Sequence, residues 1–280
     1  MQRRPDDPQP LFDYDATEPP GVRVAGTDVT IRDLAYEAVP DRWVRACLVV
    51  PVGAGPWAGL LFLHPALGSR ATFLSEAVYL AGLGAVSLLV DAPWSDDGVA
   101  AWGRTVESPE AAVREHIRTV IDLRRGIDLL AARPDVDPER IGFVGHSFGA
   151  LMGGVLAGVE KRLRAAVLMA GTGRFADVAA LNLPDLRGER LEYYRRTLAD
   201  LDPAVWVGRA APTALLFQSG LRDEFFTEEQ SREFFEQAGG PKALRWYDAG
   251  HYLDDTARRD RIVWLAEQLS LSRQGSDGSP

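Results

Sequence analysis

Short apolar runs that alternate with helix-patterned stretches dominate this chain, and that alternation leaves few folds open. Leu60 to Leu63, Ala85 to Val90, residues 141–145, Ala165 to Met169, residues 213–218 and residues 243–247 each read as a buried strand. Helical patterns cover Thr72 to Ala81, Glu110 to Ala132, the stretch from Ala150, Thr227 to Gln237 and Thr256 to Leu269. Parallel strands need a crossover that returns the chain to the same edge, so strand and helix in alternation predict a mostly parallel sheet with helices on both faces. Val29 to Val39 and Arg42 to Val50, joined by a Pro40-Asp41 turn, add an antiparallel entry pair and bring the expected sheet to eight strands. With 280 residues, 46% of them hydrophobic, the chain is long enough to bury one large α/β core.

That core is expected over residues 25–270, with no repeat and no second domain. Residues 1–24, rich in Pro and Asp, read as an arm over the surface, and residues 271–280 as a disordered polar tail. Between the strands at 165 and 213 lies a segment, about residues 171–211, too long for an ordinary connection. A helix over Leu186 to Leu201 within it predicts a small cap above a site.

The most specific motif is Gly145-His146-Ser147-Phe148-Gly149, set between the strand Arg140 to Val144 and the helix that starts at Ala150. A G-x-S-x-G in that setting describes a nucleophile elbow, a sharp turn that holds the serine hydroxyl clear of the sheet. Glycines on both sides let strand and helix crowd the turn. Serine needs a base to take its proton and an acid to orient that base. Of four histidines, His64 lies in a loop after a strand, His116 sits in a charged helix, and His146 is inside the elbow with its side chain directed away from that of Ser147. His251 ends a strand downstream of the serine and is the candidate base. For the acid, the apolar strand 213–218 runs through Gly220 to Asp223; Asp202, Glu224 and Asp248 are its rivals, and Asp91 reads as a turn-stabilising carboxylate.

A developing oxyanion needs two N–H donors. One is expected from Phe148, the residue after the nucleophile, and one from the turn His64-Pro65-Ala66-Leu67-Gly68-Ser69. Pro65 has no N–H, which points to Ala66. Aromatic residues of the cap and of the loop after Asp91, namely Phe175, Tyr193, Tyr194, Trp206, Trp94 and Trp102, either wall a pocket or merely pack the cap onto the sheet. Trp94, Trp102, Tyr193 and Tyr194 are the candidates for substrate contact.

The order Ser147, Asp223, His251, the elbow, and the approach Ile121 to Leu130 followed by Pro134 to Gly142 resemble the α/β-hydrolases. Within them the likeness is to dienelactone-hydrolase-like esterases and prolyl-oligopeptidase-type catalytic domains. The resemblance implies an α/β-hydrolase fold and a serine carboxylesterase that works through an acyl-enzyme. Dienelactone hydrolases carry cysteine where Ser147 stands, so that particular activity is not implied, and the proline at 65 departs from the His-Gly-x loop of many relatives. An aminopeptidase, amidase or acyltransferase would use the same three residues, and a non-catalytic binding protein on the same fold is a third class.

Composition narrows the partners. A formal net charge of −9 argues against nucleic acid and anionic membrane, both of which need a basic face. Neither a phosphate-binding loop, a dinucleotide fingerprint nor a metal-ligand spacing occurs, so no cofactor and no metal are expected. The expected partner is a small-molecule ester, with a homodimer left open. Cys47 stands alone in a strand, Met1 to Pro20 lacks an apolar leader core, and no run of about 18 apolar residues is present, which makes the cytoplasm the expected compartment.

Overall fold

A computed structural model describes residues 29–95 and 98–272. The expected arm over residues 1–24 and the tail from 273 onward lie outside the described residues. The chain opens with a hairpin of β1 (Val29–Val39) and β2 (Arg42–Pro51), turned at Asp41, whose φ of 63° is left-handed. Then follow β3 (Trp57–Leu63), α1 (Leu74–Ala81), β4 (Ala85–Val90), α2 (Gly98–Glu107), α3 (Pro109–Ala131), β5 (Val136–His146), α4 (Phe148–Val159) and β6 (Leu163–Met169). Three helices, α5 (Phe175–Asn182), α6 (Gly188–Leu198) and α7 (Pro203–Val207), precede β7 (Ala214–Gly220), α8 (Glu228–Gln237), β8 (Lys242–Tyr247) and α9 (Asp255–Leu269).

The eight strands form one sheet in the order β1-β2-β4-β3-β5-β6-β7-β8. β2 runs antiparallel to both β1 and β4, and the remaining pairs are parallel. The unbroken apolar runs of the central strands follow from this arrangement, because helices cover both faces and strand side chains alternate between them. Along β3, Leu61 and Leu63 enter the core under α3 and α4, while Leu60 and Phe62 enter the core under α1 and α9. Helix starts are fixed by side chains: the Ser108 hydroxyl accepts from Ala111 N–H ahead of Pro109, Thr227 and Gln230 form a reciprocal capping box, and Asp254 accepts from Ala257 N–H.

Three parts of the chain differ from the expectation, the first being β5, which begins at Val136, ahead of the expected 141–145. The cap segment holds three short helices, and its middle one is trimmed to Gly188–Leu198. α2 has no counterpart in the sequence reading, although its buried residues Ala101, Trp102, Thr105 and Val106 recur at helical spacing.

Candidate active site

β5 delivers the chain to Ser147 with φ 55° and ψ −115°, a conformation that an L-residue adopts only under constraint. The constraint is visible on both sides. A Cβ at Gly145 would lie 2.2 Å from the Gly149 carbonyl oxygen, and one at Gly149 would lie 2.2 Å from that of Leu63. Ser147 N–H donates to Met169 O at 2.8 Å, and Ser147 O accepts from Ala150 N–H at 2.8 Å, so the turn is tied to β6 and to the first turn of α4.

His251 follows β8 on a short loop and is buried. Its Nδ1 lies 2.9 and 3.0 Å from the two carboxylate oxygens of Asp223, which follows β7. A carboxylate only accepts, so Nδ1 carries the proton and Nε2 keeps its lone pair. Asp223 also accepts from the N–H groups of Phe225 at 2.8 Å and Phe226 at 3.0 Å. Burial opposes the charged form of Asp223, but the hydrogen bond and charge of His251, with the two backbone donors, outweigh it and hold the carboxyl below its usual range. The rival acids are engaged elsewhere. Asp202 precedes α7 without a side-chain bond to it and accepts from Phe175 N–H at 2.9 Å, Asp248 pairs with Arg222, and Glu224 Oε2 accepts from the backbone N–H of His251 at 3.1 Å.

The loop after β3 is built around His64. Ala92 N–H donates to its Nε2 at 3.0 Å, which leaves Nδ1 to donate to Pro65 O at 2.6 Å. Burial lowers the pKa of this ring, in keeping with a neutral imidazole that ties β3 to the end of β4. Asp91 binds Arg70 through both its backbone N–H and its guanidinium, each at 2.7 Å, and so holds the far end of the same loop. Within it Trp94 Nε1–H donates to Ala66 O at 2.8 Å. Among the described residues neither Ala66 N–H nor Phe148 N–H donates to a protein acceptor.

Ser147, His251, Pro65, Ala66 and Leu67 share one cavity of about 150 Å³ with Trp102, Val178, Leu181, Asn182, Phe225, Phe226 and Tyr252. Of the four aromatic candidates, Trp102 faces it. Trp94 stands behind that wall, its ring 4.9 Å from Trp102 and 4.7 Å from Phe148. Tyr194 is buried in the main core and Tyr193 points to solvent, where its hydroxyl donates to Glu110; neither lines the cavity. The cap contributes α5 instead, and Trp102 Nε1–H donates to Asn182 Oδ1 at 3.0 Å to hold that helix against α2.

Two contacts to His251 lay outside the sequence reading. His146 Nε2–H donates to the His251 carbonyl at 2.8 Å, and burial above all lowers the His146 pKa to about 4 despite that bond. With Glu224 on the N–H, the backbone of His251 is gripped at both ends. A histidine next to the serine carries no signal of this in the sequence, because the partner is 105 residues away. His116 serves as packing: both ring nitrogens lack partners, its ring is 4.1 Å from that of Phe175, and burial pushes its pKa down to about 3. Among the described residues no group of three or more His, Cys, Asp or Glu side chains is placed to hold a metal ion.

Sheet order, elbow and helical layers define the α/β-hydrolase fold, and solved structures bear this out. An acetyl xylan esterase from Paenibacillus sp. R4 superposes with a TM-score of 0.74 at 20% identity, covering 86% of this chain and 84% of that one. A protein from Klebsiella pneumoniae subsp. pneumoniae MGH 78578 described as a dienelactone hydrolase gives 0.64 at 14% identity, with 87% and 99% covered. The acylaminoacyl peptidase of Pyrococcus horikoshii gives 0.68 at 17% identity over 91% of this chain but 44% of its own. A family model for the C-terminal region of BAAT / acyl-CoA thioester hydrolases matches residues 123–193, about a quarter of the chain. A search of curated protein sequences gave no match. No described helix is long and apolar enough to cross a membrane.

Proposed function

We propose that this chain is a serine hydrolase that cleaves carboxylic esters through an acyl-enzyme, with Ser147 as nucleophile, His251 as base and Asp223 as the group that orients it. The observation that carries this reading is the joint placement of a strained, glycine-flanked serine and an Asp-held histidine on one cavity. The Ser147 proton passes to His251 Nε2 as Oγ attacks the ester carbonyl carbon. The carbonyl oxygen, now charged, takes the N–H groups of Phe148 and Ala66. Collapse breaks the bond to the leaving oxygen, which receives the proton from Nε2, and water repeats the sequence to free the acid. Esterase and dienelactone-hydrolase descriptions among the structural neighbours support the reaction class.

A cavity of about 150 Å³ favours a short acyl group. The match of residues 123–193 to a thioester hydrolase family favours thioesters as a second reading with the same nucleophile. A cytoplasmic location rests on the single, buried Cys47 and remains part of the proposal.

A fluorophosphonate probe tests the assignment. It should label Ser147 stoichiometrically, and Ser147→Ala should abolish both labelling and turnover of p-nitrophenyl acetate. Labelling of another serine, or an active Ser147→Ala protein, would overturn it.

A further inference from the structure

We infer that the leaving-group half of this cavity is an apolar ring platform open to solvent, formed by Phe225 and Tyr252, and that the preferred substrates are esters of uncharged alcohols bearing a flat apolar ring. The inference rests on the hydrolase reading above and narrows it.

The reaction itself fixes which wall meets which half of the substrate. The group that departs must take the proton from His251 Nε2, so the alcohol lies on the histidine side, and the acyl chain extends the other way. The walls on those two sides differ. The wall contributed by α2 and α5, Trp102 and Val178, is buried and makes no ring contact with His251, which assigns it to the acyl half. On the histidine side the Phe225 ring stands 4.7 Å from the imidazole at 75°, and the Tyr252 ring 5.6 Å from it at 84°. Both line the cavity, yet Phe225 is 44% and Tyr252 73% exposed. Leu67 and Leu181, 63% and 45% exposed, line the cavity as well. Large apolar side chains gathered at one mouth, each paying hydration for exposure, mark a surface that is covered when a ligand binds.

The same rim argues against polar leaving groups. Among the described residues no lysine, arginine or carboxylate lines the cavity. The Asn182 amide is engaged at both ends, its Oδ1 by Trp102 and its Nδ2 by Val178 O at 2.8 Å. That leaves little to pair with sugar hydroxyls and nothing to offset an anionic leaving group, in a chain that already carries −9. Flat faces beside the imidazole suit a ring, which stacks on one aromatic and meets the edge of the other.

The test compares acetate esters of ethanol, of benzyl alcohol and of a sugar hydroxyl with the full-length enzyme; the first two alcohols are similar leaving groups and the sugar hydroxyl is the better one, so its last place would run against intrinsic reactivity. The expected kcat/KM for benzyl acetate exceeds that for ethyl acetate by about 10-fold or more, the size of effect that apolar pocket contacts give, and the sugar acetate is the poorest. Tyr252→Ala and Phe225→Ala should each shrink the benzyl-to-ethyl ratio several-fold, and Tyr252→Phe, which keeps the ring, should restore it. A ratio near one, a sugar acetate that is preferred, or a ratio that both alanine variants leave intact would overturn the inference while the hydrolase reading stands. Absence of turnover on every ester, with no probe on Ser147, would sink both.

Discussion

Glu224→Ala separates a residue that places the imidazole of the proposed base, His251, from one that merely holds a loop together. The Glu224 carboxylate accepts from the His251 N–H at 3.1 Å, from an exposed position, and does not line the cavity. An exposed acceptor of this kind stabilises the fold by about 1 kcal/mol or less, which for a domain of this length corresponds to a Tm loss below roughly 4 °C. Its effect on rate is set by a different scale. Catalytic side chains must hold position within about 0.5 Å, and a displacement near 1 Å costs about 100-fold. The carbonyl of His251 stays tied to His146 and its Nδ1 to Asp223, so loss of one of three anchors should lower kcat by about 10-fold and no more than about 100-fold. KM should change little. Glu224→Gln, whose amide oxygen accepts the same N–H, should recover most of the rate. Steady-state kinetics on p-nitrophenyl acetate beside a thermal melt decides the matter. A wild-type kcat in Glu224→Ala refutes the positioning role, and a glutamine variant as slow as the alanine one refutes the hydrogen bond as its cause.

Asp223→Asn should leave the melt near wild type and lower kcat by up to about 10⁴-fold, because the amide no longer fixes the tautomer of His251; a larger kinetic loss in Asp202→Asn would move the acid to the earlier strand. Asp202 itself should govern a pH effect on stability. Burial first, with Asp177 adding and Phe175 N–H opposing, raises its pKa from 3.8 to about 7. A carboxyl raised in the folded state contributes stability below its unfolded pKa, and that contribution is lost as pH rises through about 7. Asp202→Asn keeps an acceptor for Phe175 N–H and cannot ionise, so its Tm relative to wild type should be higher at pH 8 than at pH 4.5; an equal difference at both refutes this. Gly149→Ala, whose Cβ would sit 2.2 Å from Leu63 O, should cost more than about 3 kcal/mol, whereas Gly103→Ala, with nothing within 4 Å, should stabilise α2 by about 0.5–1 kcal/mol. Urea titrations of the two variants check that contrast, and a folded, active Gly149→Ala protein would refute the steric account of the elbow.

The fold was legible because its signals are local. Four consecutive apolar residues at Leu60–Leu63, followed at once by a His-Pro turn, are too short for a helix and fit a strand buried on both faces, and the elbow shows itself in five residues because a strand precedes them and a helix follows. Asp223 and His251 could be singled out for a related reason: each directly follows a strand of a parallel sheet, and parallel neighbours bring such ends together. β7 and β8 are paired from Leu215 and Lys242 to Gly220 and Tyr247, which carries both residues to the same edge. α2 was passed over although Ala101, Trp102, Thr105 and Val106 recur at helical spacing, and the anchors on His251 escaped because no spacing relates residue 146 or 224 to the backbone of residue 251.

The pocket walls were the least legible part, and helix geometry says why. Tyr193 and Tyr194 are adjacent on α6, and successive residues on a helix point about 100° apart, so the two rings need not share surroundings. The sequence marks them equally, yet one is buried in the main core and the other meets Glu110 at the surface. Which face of a cap helix meets the site depends on how that helix docks. Here the docking is set by a hydrogen bond between Trp102 and Asn182, on two helices 80 residues apart. A strand end inherits its position from the sheet, which every parallel pairing reinforces, whereas a cap helix is placed by a few contacts of this kind. The sheet thus holds Ser147, Asp223 and His251 to a common edge while the cap and the rim, with Val178, Leu181, Phe225 and Tyr252, are free to vary. Substrate choice is therefore expected to follow the cap and the rim, and the chemistry to follow the sheet.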